Sequence, residues 1–167
     1  MDLRVTLGED GPVLDWGAGP RRCAIGPAGI GAKTGEGDGV TPQGVFAIRE
    51  IFYRPDRMAK PDVHLPLRAT RPDDGWCDAP DDPSYNRLVK LPYGASAEQM
   101  WRDDPLYDLV AVIGFNDDPV AQGKGSAIFL HLAKEDYAPT AGCVALARGD
   151  LLAALEQLRP GDKIIIG

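Results

Sequence analysis

Cysteine and histidine are scarce in this chain of 167 residues, with three of the first and two of the second. Cys23, Cys77 and Cys143 are odd in number and far apart, and neither C-x-x-C nor H-x-x-x-H occurs. That argues against a disulfide framework and against a structural zinc site, and fits thiols kept free in a reducing compartment. Long apolar runs are missing as well. The longest, such as "LVAVIGF" at 109–115, fall far short of the ~20 residues of a membrane span, so no membrane insertion is expected. No stretch concentrates Lys and Arg, and the net charge is −7, which argues against nucleic acid or an anionic membrane surface as partner. The opening "MDLRVTLGEDGPVLDW" lacks the basic start and apolar core of a signal peptide. The expected location is cytoplasmic, or periplasmic if a leader has been removed.

What the chain does have is 20 glycines and 15 prolines, against an ordinary globular background of 44% apolar and 26% charged residues. The length suits one domain over residues 1–167, with a single sizeable core. So many turn residues favour short strands over long helices. "DLRVTL" (2–7) and "PVLDW" (12–16) read as strands around the turn "GEDG", and "RRCAIG" (21–26) continues the pattern. "VFAIREIFY" (45–53) alternates as a strand with one wet face does. "NRLVKL" (86–91) and "DKIIIG" (162–167) are further strands, and a short one is expected at "VHLPL" (63–67). "LVAVIGF" and "SAIFLHL" (126–132) are apolar enough to be buried on both faces. Ser96 and Gln99 form an S-x-x-Q capping box that predicts a short helix over 97–103. Asp150 is expected to cap a helix carrying Leu151, Leu152, Leu155 and Leu158 on one stripe, closed by Pro160-Gly161. The fold class is mainly β, a sandwich or barrel-like sheet with one or two short helices.

The Gly-rich loop at 27–44 includes "GPAGIGAKT" (26–34), close to a phosphate loop. Ala32 intervenes between Gly31 and Lys33, however, and no helix pattern follows to supply the N-terminal amides that such a loop needs. The glycines read as turn formers. His64, between prolines, reads as structural. His131, at the end of an apolar strand, is either a satisfied structural histidine or a catalytic base. Cys143 is either a small buried hydrophobe or a nucleophile. It follows "PTAG" and precedes the apolar run "VALA", a turn able to present a thiol together with backbone N–H groups for an oxyanion. His131 lies twelve positions earlier, and the loop "KEDYAP" between them allows the two to meet. An imidazole in hydrogen-bond reach would lower the thiol's pKa and yield a thiolate.

The region around these residues resembles the L,D-transpeptidase catalytic domain family, the YkuD-like fold. The carrying motifs are His131 at a strand end, Thr140-Ala141-Gly142-Cys143 followed by Val144, and "TPQGVF" (41–46) after the Gly-rich loop. "GWCDAPDDPSYNRLV" (75–89), "YDLVAVIGFNDDP" (107–119) and the closing "RPGDKIIIG" resemble one subgroup of that family. The resemblance implies a cysteine acyl-enzyme. Cys143 attacks the bond between the L-centre of the diamino acid at stem position three of peptidoglycan and the following D-alanine. His131 is the base, and backbone N–H groups near Gly142 hold the oxyanion. It implies no metal and no cofactor, with peptidoglycan stem peptides or muropeptides as partners and carbapenems as acylating inhibitors. Trp76, Tyr85, Asn86 and Asn116 are offered as pocket-lining residues, against ordinary packing and loop hydrogen bonds. Thr140 and a small lid with Tyr137 complete the expected site.

Two departures from the commonest family form stand out. Ala141 occupies the place of a second histidine, and Ala145 that of an arginine, for which Arg148 and Arg87 are the candidate replacements. The missing leader favours an L,D-carboxypeptidase that trims tetrapeptides to tripeptides in murein recycling over an L,D-transpeptidase that forms 3-3 cross-links. A non-catalytic muropeptide-binding module is the third reading.

Overall fold

A computed structural model describes all residues, 1–167. The chain opens with β1 (Leu3–Gly8), β2 (Gly11–Asp15) and β3 (Arg21–Ala24). The Gly-rich loop holds only the two-residue pair β4 (Ile30–Gly31) and β5 (Thr41–Pro42). The long strand β6 (Gly44–Tyr53) follows, then β7 (Leu67–Ala69), β8 (Asp74–Cys77), β9 (Leu88–Lys90) and β10 (Ala97–Gln99). The last third contains β11 (Leu109–Ile113), β12 (Phe129–Leu132), β13 (Val144–Leu146), the helix α1 (Arg148–Gln157) and β14 (Lys163–Ile166).

The main sheet closes on itself. Its order is β11-β12-β13-β3-β2-β1-β14-β6, and β6 pairs again with β11. Strand β6 closes the barrel because it is ten residues long. Its first half pairs with β14 and its second half with β11. The register between β6 and β11 shifts between Ala111 and Ile113. That bulge lets Ile48 and Ile51, three residues apart, both enter the same core. Full closure leaves no long unpaired edge.

Strands β11 and β12 are buried on both faces, and their alternation divides the apolar residues into two clusters. Leu109, Ala111, Ile113, Leu130 and Leu132 join the larger core with Leu3, Val5, Leu14 and Ile164. Val110, Val112 and Phe129 point the other way, into a second cluster with Phe52, Trp76, Met100, Tyr107 and Cys143. A separate three-stranded sheet, β10-β8-β9, covers that second face and brings Trp76 edge-on to Phe129, ring centroids 5.1 Å apart.

Three local expectations change. Residues 97–99 form a strand paired to β8, not the start of a helix. The Ser96 hydroxyl donates to the Asp78 carboxylate at 2.6 Å instead of capping helical N–H groups, so tertiary pairing overrides the local signal. The helix begins at Arg148 with Ala147 at its N-cap and no side-chain cap bond. Asp150 sits inside the first turn, where its charge faces the positive end of the helix dipole and Arg21 at 3.4 Å. Of "VHLPL" only Leu67 is in a strand, which runs on to Ala69 as a parallel partner of β6.

Candidate active site

Strand pairing places the two sequence-nominated residues. Strands β12 and β13 are parallel, with Leu130 across from Val144 and His131 across from Ala145. Val144, Leu130 and Leu146 face the larger core, so His131, Ala145 and Cys143 share the opposite face. Strand spacing and rise put the Cα atoms of such diagonal neighbours about 8 Å apart. Both side chains line one cleft of about 360 Å³.

The turn before β13 is built by Thr140. Its N–H donates to the Ile25 carbonyl at 3.0 Å. Its hydroxyl donates to the Cys143 carbonyl at 2.7 Å and accepts the Gly142 N–H at 3.1 Å. Gly142 has φ +139°, and a Cβ there would lie 2.8 Å from the Val40 carbonyl oxygen. The Gly-rich loop packs against this turn, so it is more than a connector. It also walls the cleft with Lys33, Glu36 and Gly37.

Cys143 is 7% exposed and His131 6%. The Cys143 thiol donates to the Ala127 carbonyl at 3.2 Å and its sulfur accepts the Phe129 N–H at 3.4 Å. No hydrogen bond joins it to His131, so the thiol is not activated by the imidazole at rest. Burial, helped by the nearby Glu98 charge, pushes the thiol up to about 12, and the Phe129 N–H only partly opposes this. Burial likewise pushes His131 down to about 4, against the pull of the Leu132 carbonyl. The resting pair is therefore neutral thiol beside neutral imidazole. His131 Nδ1 lies 2.9 Å from the Leu132 carbonyl oxygen. A carbonyl can only accept, so Nδ1 carries the proton and Nε2 is the basic nitrogen. The Gly142 N–H is engaged by Thr140, whereas the Cys143 N–H donates to no group of the chain.

Of the other nominated residues, only Thr140 lines this cleft. Trp76 and Asn86 line a second cavity of about 330 Å³. Asn86 (φ 57°) is a hub: it accepts from Trp76 Nε1 and the Ala127 N–H, and donates to the Phe115 and Asn116 carbonyls. Asn116 likewise pins its own loop through Ala121 and Gly125. Tyr85 is buried and reaches the cleft only through Glu36, which its hydroxyl holds. Tyr137 lies under Arg22, outside the cleft. Arg148 and Arg87 do not line it either: Arg148 pairs with Asp108 at 2.9 Å and Arg87 donates to the Asp117 carbonyl. Sequence reasoning missed Lys33, Glu98, Arg102, Tyr107 and Lys134, which do line it. They sit in loops and a three-residue strand, where no periodicity singles them out.

A thiol and an imidazole of fixed tautomer, at one cleft on a closed mainly β barrel, are the parts of a cysteine-dependent enzyme. The sequence pattern of the YkuD family, the L,D-transpeptidase catalytic domain, matches residues 4–166, and the chain belongs to that family of cysteine-dependent enzymes acting on peptidoglycan. No curated protein and no solved structure matches the chain.

Proposed function

We propose that this protein is an L,D-carboxypeptidase, removing D-alanine from the L-diamino acid of peptidoglycan tetrapeptides in murein recycling. The observation that carries the chemistry is the shared cleft of Cys143 and His131, with Nδ1 tied to the Leu132 carbonyl. As the stem-peptide carbonyl arrives, Nε2 of His131 takes the Cys143 proton and the thiolate attacks. The free Cys143 N–H is the oxyanion donor; Gly142 serves by its backbone shape. The imidazolium returns its proton to the D-alanine amine, which leaves. Water, deprotonated by the same nitrogen, then hydrolyses the thioester.

Hydrolysis is favoured over cross-linking by size. A cleft of about 360 Å³ is at the small end of ligand pockets, roughly 300–1,000 Å³, and suits one stem-peptide end and water. Incubation with a disaccharide tetrapeptide, read by mass spectrometry, tests the reading. Loss of one D-alanine is expected; a cross-linked dimer would make the enzyme a transpeptidase, and no change would leave only a binding module. A carbapenem is expected to acylate Cys143, adding its own mass to the intact protein.

A further inference from the structure

Two glutamates line the cleft in the same manner. Tyr107, buried, donates its hydroxyl to Oε1 of Glu98, and Tyr85, also buried, donates to Oε1 of Glu36. The Ser126 hydroxyl adds a second bond to Glu36 Oε1 at 2.6 Å. Neither Oε2 meets a donor in the chain. Glu98 is the more enclosed of the two. On β10 it stands across from Trp76, over the apolar cluster that contains Tyr107 and Cys143. The Tyr107 ring in turn meets His131 edge-on, centroids 5.2 Å apart. Glu98 is thus linked by one aromatic ring to the base of the catalytic pair.

The cations around the cleft offset these carboxylates only in part, since Arg102 makes one long ion pair with Glu98, 3.9 Å, and none pairs with Glu36. Lys33 is committed to Asp38 at 2.6 Å. Arg102 is held on two nitrogens by Asp104, at 2.8 and 2.6 Å, and its Nη1 stays 3.9 Å from Glu98. Lys134 is exposed and pairs with no acid. Against that one free cation stand Glu36, Glu98 and Asp78, the last accepting from the neutral Ser96 hydroxyl. A half-buried carboxylate with an open oxygen is costly, and an apolar side chain on that face of β10 would pack onto Trp76 and Tyr107 without that cost. Its presence beside a nucleophile marks it as functional.

We infer that Glu98, with Glu36, forms a subsite in the catalytic cleft for a primary ammonium group of the substrate, and so sets specificity for amine-bearing stem peptides. This rests on the stem-peptide reading above. The ammonium has two sources, the side chain of the donor's diamino acid or the amine that competes with water for the thioester.

One test does not depend on peptidoglycan. Three methanethiosulfonates, bearing an ammonium, no charge or a sulfonate, are reacted with the protein. In each case the Cys143 thiolate attacks the reagent's sulfur, a mixed disulfide forms and methanesulfinate leaves; the C143S variant subtracts labelling of Cys23 and Cys77. The ammonium reagent is expected to outpace the sulfonate about tenfold more than it does with a small free thiolate such as 2-mercaptoethanol. In E98Q, which keeps an oxygen for the Tyr107 hydroxyl, that ratio should fall to the one a small free thiolate shows with the same reagents, and in E98D it should stay largely above it. A wild-type ratio no larger than that of the free thiolate, or an unchanged ratio in E98Q, overturns the subsite. The second arm offers a tetrapeptide with its side-chain amine free or acetylated. If acetylation lowers kcat/KM about tenfold in wild type but not in E98Q, the ammonium is the donor's. If acetylation is neutral and E98Q instead loses exchange with added D-amino acid, it is the acceptor's. Collapse of the reagent ratio in E98Q with no turnover of either peptide supports the ammonium subsite and overturns the stem-peptide reading.

Discussion

His131, on β12, and Cys143, the residue just before the parallel strand β13, are diagonal neighbours facing the same cleft, with Ala145 directly across from the histidine. The arrangement holds His131 on the sheet itself and Cys143 one residue before its strand, in the turn that Thr140 and the Gly-rich loop shape. It also explains why an alanine stands at 145. That residue is 1% exposed, and its small side chain leaves the space beside the imidazole open.

Replacing the sulfur tests the nucleophile with little change of shape. Cys143→Ser keeps a donor to the Ala127 carbonyl and an acceptor for the Phe129 N–H. Turnover of tetrapeptide should fall at least about 10³-fold, since a hydroxyl beside a weak base is a far poorer nucleophile. The circular dichroism spectrum and melting temperature should stay near those of the wild type. Retained turnover would remove Cys143 from the mechanism.

Acidity acts on the base and on the fold together. His131 must be neutral to accept the thiol proton, and burial lowers it to about 4. The acid limb of kcat/KM should therefore fall near pH 4 and not near the free-imidazole value of about 6.5. In the unfolded chain the same imidazole protonates near 6.5, so the unfolded state binds the proton first as pH falls. Stability is full above pH 6.5 and is lost as pH drops through about 4, by roughly 3 kcal/mol. Urea denaturation at neutral pH and near pH 4 measures it. His131→Gln should remove that part of the loss, and an equal loss in the variant would assign it to other groups.

Thr140 is argued to shape the nucleophile's turn without touching the reacting atoms. Thr140→Val removes the bonds to the Cys143 carbonyl and the Gly142 N–H, both in buried residues. The expected cost is about 1–3 kcal/mol of stability. A displaced sulfur should also lower kcat by up to about 10²-fold. Thr140→Ser keeps the hydroxyl and should restore most of the rate. If valine is tolerated in kinetics as well as in melting, the turn is held by Gly142 and its packing alone.

Much of the barrel was readable because alternation is strong where one face or both are buried. β11, β12 and β14 fall within the apolar runs that predict them, and β6 begins one residue ahead of its own. β10 was not, since three residues carry too little pattern to outweigh a capping box, and only pairing with β8 decides their state. His131 and Cys143 were nominated by a small-residue turn, a strand end and the family motif together, and the fold brings both to one cleft. The polar and aromatic residues of the 75–89 segment misled for a physical reason. Trp76 and Asn86 are chemically able to bind a ligand, yet their hydrogen-bonding groups satisfy each other and the backbone. Glu98 and Arg102 entered the cleft unannounced, through a connection whose path only the tertiary fold sets.

The Gly-rich loop supplies the last prediction. A Cβ on Gly26 would lie 2.1 Å from the Gly39 carbonyl oxygen and 3.2 Å from the Gly142 Cα. The first contact is with backbone, which cannot swing aside as a side chain does, so the loop must move away from the nucleophile's turn. Gly26→Ala should cost about 1–3 kcal/mol in denaturant unfolding. It should also lower turnover more than about tenfold, because the shift is delivered to Gly142, next to the sulfur. Gly31→Ala, in the same loop, meets nothing closer than the Val40 side chain at 3.9 Å and should behave as wild type. Equal, small effects from both substitutions would show that the loop can shift without moving Cys143, and its contact with the turn would lose its role in holding the site.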